Sequence, residues 1–182
     1  MKRFAALYEQ LDGTRATSRK LTLMRDCFKD AADADAAWML YFLSGRRLKR
    51  VVAPARLRAA AAQVAGIPDW MLEASHAHVG DLAETIALLT DDGRAPDPQL
   101  AERGLAEWVD ALRALREAEE ATLVTRLGAW WRGLPVREAF LLNKLLTGAL
   151  RVGVSRGLAT RALAEALEQD ENLVAQRLMG DW

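Results

Sequence analysis

The side chains best placed to do chemistry in this sequence are cations gathered around helix starts, and the chemistry they suit is contact with phosphate. Between Arg132 and Arg161 six basic residues, Arg132, Arg137, Lys144, Arg151, Arg156 and Arg161, accompany a single acid, Glu138. The same region contains EAFLLNKLLTGALRVGVSRGL, residues 138–158, which reads as an apolar helix, a stop at Gly148, a short basic turn and a new helix opened by Ser155. A helix start presents unpaired backbone N–H groups and a partial positive charge, so an anion is stabilised there. Arg151 and Arg156 flank that start. The densest positive segment is RRLKRVVAPARLR, with Arg46, Arg47, Lys49, Arg50, Arg56 and Arg58 and no acid, a candidate backbone-contacting loop. Arg15, Arg19 and Lys20 crowd a further helix start, where cations oppose the helix dipole unless an external anion offsets them.

These groups need elements to hold them, and the sequence offers helices throughout. Ala, Leu and Arg dominate, β-branched runs are scarce and Pro occurs five times, which together predict an all-α protein. Helices are expected over residues 3–11, from Thr17 or Ser18 as cap to Phe28, and from Asp33 or Asp35 to a stop at Ser44-Gly45. Pro54 and Pro68 each suit a first helical turn, with ends near Gly66 and Gly80. Asp81 and Glu84 predict a capping box for a helix with Leu82, Ile86 and Leu89 inward. TDDGRAPDP, residues 90–98, is linker-like and a candidate subdomain break. One helix is then expected from about Pro98 to Arg116, another from Leu123 to Trp131, and Phe140, Leu141, Leu142, Leu145, Leu146 and Leu150 predict a buried face in the next. Asp170 is the expected cap of a last helix, and Gly180-Asp181-Trp182 reads as a junction ahead of another domain.

The formal net charge is zero, yet residues 1–80 carry +5, residues 81–130 carry −6 and residues 131–182 carry +1. A phosphate-facing surface needs local positive potential, which such a distribution supplies. The single Cys27 excludes an internal disulfide and fits a reducing cytoplasm. His76 and His78 are two apart on a predicted helix and point to different faces, which argues against a shared metal. No apolar run reaches the roughly 18 residues of a membrane span. There is no phosphate-binding P-loop, no G-x-S-x-G, no C-x-x-C and no H-E-x-x-H. None of the five lysines is followed by x-Asp-Gly, the setting of a nucleotidyl-accepting lysine, so no catalytic residue and no cofactor are expected in this chain.

Three segments carry a resemblance. Tyr41-Phe42-Leu43-Ser44-Gly45-Arg46 is similar to an aromatic-Leu-x-Gly-Arg segment, Gly80-Asp81-Leu82-Ala83-Glu84 to a Gly-Asp-Leu-x-Glu helix start, and Leu150-Arg151-Val152-Gly153-Val154-Ser155 to a Leu-Arg-x-Gly-Val turn. Together they resemble the N-terminal helical DNA-binding domain of bacterial ATP-dependent DNA ligases, over nearly the whole chain. The resemblance implies pseudo-two-fold helical halves that grip nicked duplex DNA from the minor groove by phosphate and sugar contacts. It also implies a monomeric, nucleoid-associated protein serving replication, recombination or repair. The adenylation and oligonucleotide-binding domains, with ATP and Mg, would lie outside this chain. The implied DNA-binding residues are Gly45, Arg46, Arg47, Lys49, Arg50, Gly80, Lys144, Thr147, Gly148, Arg151, Gly153, Val154, Ser155 and Arg156. A helical protein-interaction scaffold fits the zero net charge and acidic middle. A base-excision glycosylase with a helix-hairpin-helix grip lacks here the usual Gly-x-Gly core.

Overall fold

The computed structural model describes residues 1–49 and 51–179. Among them are twelve helices and no strand: α1 Lys2–Asp12, α2 Thr17–Lys29, α3 Asp33–Leu43, α4 Pro54–Ala65, α5 Asp69–Val79, α6 Leu82–Thr90, α7 Pro98–Glu102, α8 Leu105–Arg113, α9 Glu120–Gly133, α10 Val136–Thr147, α11 Arg156–Leu167 and α12 Glu171–Arg177. The all-α expectation is met. No helix among the described residues is long and apolar enough to cross a membrane.

The chain forms two compact units. One comprises Met1–Lys2 and Leu48–Ala149, the other Arg3–Arg47 and Leu150–Trp182. In the first unit α6 is the central helix, packed against α10, α4, α5 and α9. Its buried face is Ala83, Ile86, Ala87 and Thr90, whereas Leu82 and Leu89 are only half-buried and Leu88 is exposed. Thr85 is buried as well, so of the predicted face only Ile86 lies fully inward, and small or polar residues fill the rest. On α10 Leu141, Leu142, Leu145 and Leu146 are buried as expected, while Phe140 is half-buried and Leu150 lies beyond the helix end. Asn143 joins three elements of this core: it is fully buried, accepts from Trp131 Nε1 (2.8 Å) and donates to Ala83 O (3.1 Å).

The expected helix 98–116 is two helices. The break falls at Arg103-Gly104, where Gly104 takes an extended conformation as N-cap and its N–H donates to Glu107 Oε2 at 2.8 Å. Nor is residues 90–98 a unit boundary: the segment runs inside the first unit, fastened by Asp97 N–H to Gly133 O (2.8 Å) and by Asp92 to Arg132 (3.6 Å). Local composition marks it as a loop but says nothing of these distant partners.

The second unit packs α11 chiefly against α2, with α12 and α3 beside it. Phe4, Leu7, Leu11, Met24, Phe28, Met39 and Phe42 are buried, and the Phe4 and Phe42 rings stack at 6.1 Å. Helix α2 begins at Thr17 with Ala16 as its N-cap and no side-chain cap, so neither Thr17 nor Ser18 performs the capping expected of it.

Candidate nucleic-acid interface

In the second unit α11 opens at Ser155, whose Oγ accepts from Leu158 N–H at 3.2 Å. One first-turn donor is thereby satisfied. The N–H groups of Arg156 and Gly157 find no acceptor among the described residues, as a helix start dictates. Nothing lies within 4 Å of where a Cβ on Gly157 would sit, so the backbone is open to close approach there. Arg151 is exposed and has no ion-pair partner among the described residues. Arg156 is exposed too, its guanidinium donating to Leu178 O at 2.7 Å, which orients it across the end of α12. Val154 is half-buried and Gly153 exposed. Gly153 has φ +59°, a left-handed conformation that a side chain resists. Beneath the turn lies Lys20, 8% exposed, whose ammonium donates to Val152 O and to Gly153 O, the latter at 3.1 Å.

The same unit holds the end of α3. Gly45 follows the helix in a left-handed conformation, the Arg46 guanidinium lies 5.7 Å from the centre of the Tyr41 ring, and Tyr41 OH donates to Arg47 O at 3.0 Å. Arg47 is exposed. Its companion Lys49, in the first unit, is exposed, and Arg50 lies outside the described residues.

The first unit repeats the motif of a left-handed glycine followed by a capped helix, with opposite electrostatics. Gly80 closes α5 and is exposed, and Asp81 opens α6, its Oδ1 accepting from Ala83 N–H (2.9 Å) and Glu84 N–H (3.2 Å). The cap forms through Asp81 alone. Lys144 is turned inward, 7% exposed, with its ammonium bonded to Asp81 Oδ2 and lying 5.1 Å from the Phe140 ring centre. Burial would raise the Asp81 carboxyl, but the Lys144 hydrogen bond, the Glu84 and Ala83 N–H groups and the Lys144 charge together hold it below the ordinary aspartate value. Lys144 was expected to face DNA; here its charge is neutralised and serves the helix start. Thr147 is exposed, but its hydroxyl is turned back onto Asn143 O at 2.8 Å, and Gly148 ends α10 in a left-handed cap. The α6 start thus carries its own anion, and the α11 start does not.

The sequence reading placed Lys20 among the cations crowding the α2 start, without linking it to the turn at Val152-Gly153, and it passed over Gly157. Local sequence could not link Lys20 to carbonyls 132 residues away, although a glycine at the second position of a helix, where it costs stability, was a visible signal. Burial pushes the Cys27 thiol up to about 11, with Arg3 opposing and Asp30 adding to the shift, which leaves little thiolate at neutral pH. No group of three or more His, Cys, Asp or Glu among the described residues is arranged to hold a metal.

The two units thus each carry a helix-start turn on an all-helical scaffold, and the one at α11 is open and basic. The chain belongs to the DNA ligase N terminus family, whose sequence profile matches residues 1–164. It is 24% identical over 185 residues to a DNA ligase of Thermococcus fumicolans, an alignment covering 96% of this chain and 33% of that protein. The chain therefore spans about a third of the length of the relative it matches. The resemblance to the N-terminal domain of an ATP-dependent DNA ligase is borne out.

Proposed function

We propose that this chain is the duplex-binding part of an ATP-dependent DNA ligase, holding nicked DNA by sugar and phosphate contacts in the minor groove while other domains seal the break. The observation that carries the reading is the open α11 start: free N–H groups at Arg156 and Gly157, a Ser155 cap without charge, and Arg151 and Arg156 on either side. Such groups fix the position of a backbone and read no base, which suits an enzyme that must act at any sequence. Arg47 and Lys49 add exposed cations beside the half-buried Arg46, whereas Gly45, Gly80, Thr147 and Gly148 offer close approach of backbone. Lys144 acts by holding the α6 cap. ATP and Mg belong to the adenylation domain of the parent protein, and the domain binds as a monomer.

The test is a fluorescence-anisotropy titration of the chain against intact and nicked duplexes at several salt concentrations. With about six phosphates neutralised, log affinity falls against log salt with a slope of about −5, equally for unrelated sequences. Binding that is salt-insensitive or confined to one sequence would sink the proposal. No binding at low salt would favour a protein-interaction scaffold.

A further inference from the structure

We infer that Lys20, on α2, is the positioning residue that aims the backbone N–H groups of Gly153 and Val154 at a DNA phosphate. The inference rests on the duplex-binding role proposed above. It starts from the two carbonyls that Lys20 holds, Val152 O and Gly153 O. In a planar trans peptide the C=O and the following N–H point in opposite directions, and no peptide bond among the described residues is cis. Drawing both carbonyls down onto Lys20 therefore turns the N–H groups of Gly153 and Val154 away from it. Neither N–H has an acceptor among the described residues. Two successive N–H groups on one side of a turn with a left-handed residue form a concave anion-binding nest. The open N–H groups of Arg156 and Gly157 follow within three residues, and Arg151 precedes them.

The fit between Lys20 and the turn is close. A Cβ on Gly153 would sit 3.0 Å from Lys20 Nζ and would push the ammonium from its carbonyls, while the φ of +59° already favours glycine. No carboxylate pairs with Lys20 among the described residues. Its charge, unlike that of Lys144, remains uncancelled behind the turn. A lysine held 8% exposed against two carbonyls costs desolvation that a methionine would avoid. Its location makes sense if the geometry and potential of the turn are what it supplies.

The experiment compares wild type, Lys20→Met, Arg151→Ala and the double variant by the same anisotropy titrations, with thermal melts of each. Lys20→Met is expected to melt cooperatively and to lose duplex affinity on the order of tenfold, the equivalent of one charge-assisted hydrogen bond. Its loss should combine with that of Arg151→Ala to less than their product, since both act on one turn. Multiplicative losses would make Lys20 an independent contact, and unchanged affinity in a folded Lys20→Met would leave it no role; either result overturns the inference. In wild type the amide resonances of Gly153 and Val154 are expected to shift on addition of duplex, a readout that does not depend on any variant folding. If they stay in place while duplex binds, the inference is wrong although the domain binds DNA. If wild type binds no duplex at all, the parent reading has failed instead.

Discussion

Replacing Asp81 with serine separates the two things the aspartate does at the start of α6. Serine is about as good an N-cap as aspartate, so the bonds to Ala83 and Glu84 N–H survive with little change. What disappears is the carboxylate facing Lys144, which is itself 7% exposed. Removing one partner of a fully buried ion pair costs about 3–5 kcal/mol. The Asp81 side chain is 33% exposed, so water can reach the site and the cost here is nearer about 2 kcal/mol. For a chain of this size that corresponds to a melting temperature lower by roughly 4–8 °C.

The pH dependence identifies the cause. The Asp81 carboxyl is depressed in the folded state, so its contribution is fully present above the unfolded aspartate value of about 3.9 and is lost as pH falls through the lower folded value. Wild type should therefore exceed Asp81→Ser in stability by the full amount at neutral pH, and the gap should close in acid. In duplex titrations the freed Lys144 and uncharged α6 start should steepen the salt slope by about 1. Calorimetric melts at neutral and acid pH decide the matter. Equal melting temperatures at neutral pH, or a gap that persists unchanged in acid, would refute the reasoning that the Lys144 to Asp81 pair holds this helix start.

Further outcomes are as specific. Arg151→Ala should weaken duplex binding alike for unrelated sequences and flatten the salt slope by about 1, measured by anisotropy. Asn143→Leu strands the Trp131 Nε1 donor in the core, and chemical denaturation should show a loss of about 1–3 kcal/mol. Gly133→Ala places a Cβ 2.6 Å from Leu100 Cδ1, and the same assay should report about 1–3 kcal/mol of overpacking. Burial raises the Glu138 carboxyl despite the nearby N-terminal amine, Arg137 and Lys2, so its contribution is present below the unfolded glutamate value and lost as pH rises through the folded one. Glu138→Gln should consequently be more stable than wild type at neutral pH and lose that advantage in acid, as thermal melts across pH would record.

Sequence periodicity and caps disclosed most helices because those signals are local: Pro54 and Gly66 bracket α4, and Asp81, Ser155 and Asp170 each cap the helix they precede. Where the reading failed, either a local glycine cap or a distant partner had decided the outcome. The α7–α8 break depends on a Gly104 backbone that local pattern left as continuous helix, and the loop at 91–97 is placed by Gly133 and Arg132. For the site, the motifs located both helix-start turns. They did not disclose which lysine lies beneath each, since Lys144 is 63 residues from Asp81 and Lys20 is 132 from Val152.

Those two lysines decide how the turns differ. Each unit pairs a helix start with a neighbouring helix that sends a buried lysine to it, yet one lysine meets a carboxylate and the other meets carbonyls. An aspartate at a helix start satisfies the same N–H groups a phosphate would use and repels the phosphate as well. A serine cap with a carbonyl-held lysine leaves those groups open and adds positive potential. The zero net charge of the chain is therefore no guide to its partner, because cancellation happens at Asp81 and is withheld at Ser155. If the domain binds duplex as proposed, the energetic centre of the grip in the second unit is the α11 turn, and the α6 turn of the first unit is electrically quiet.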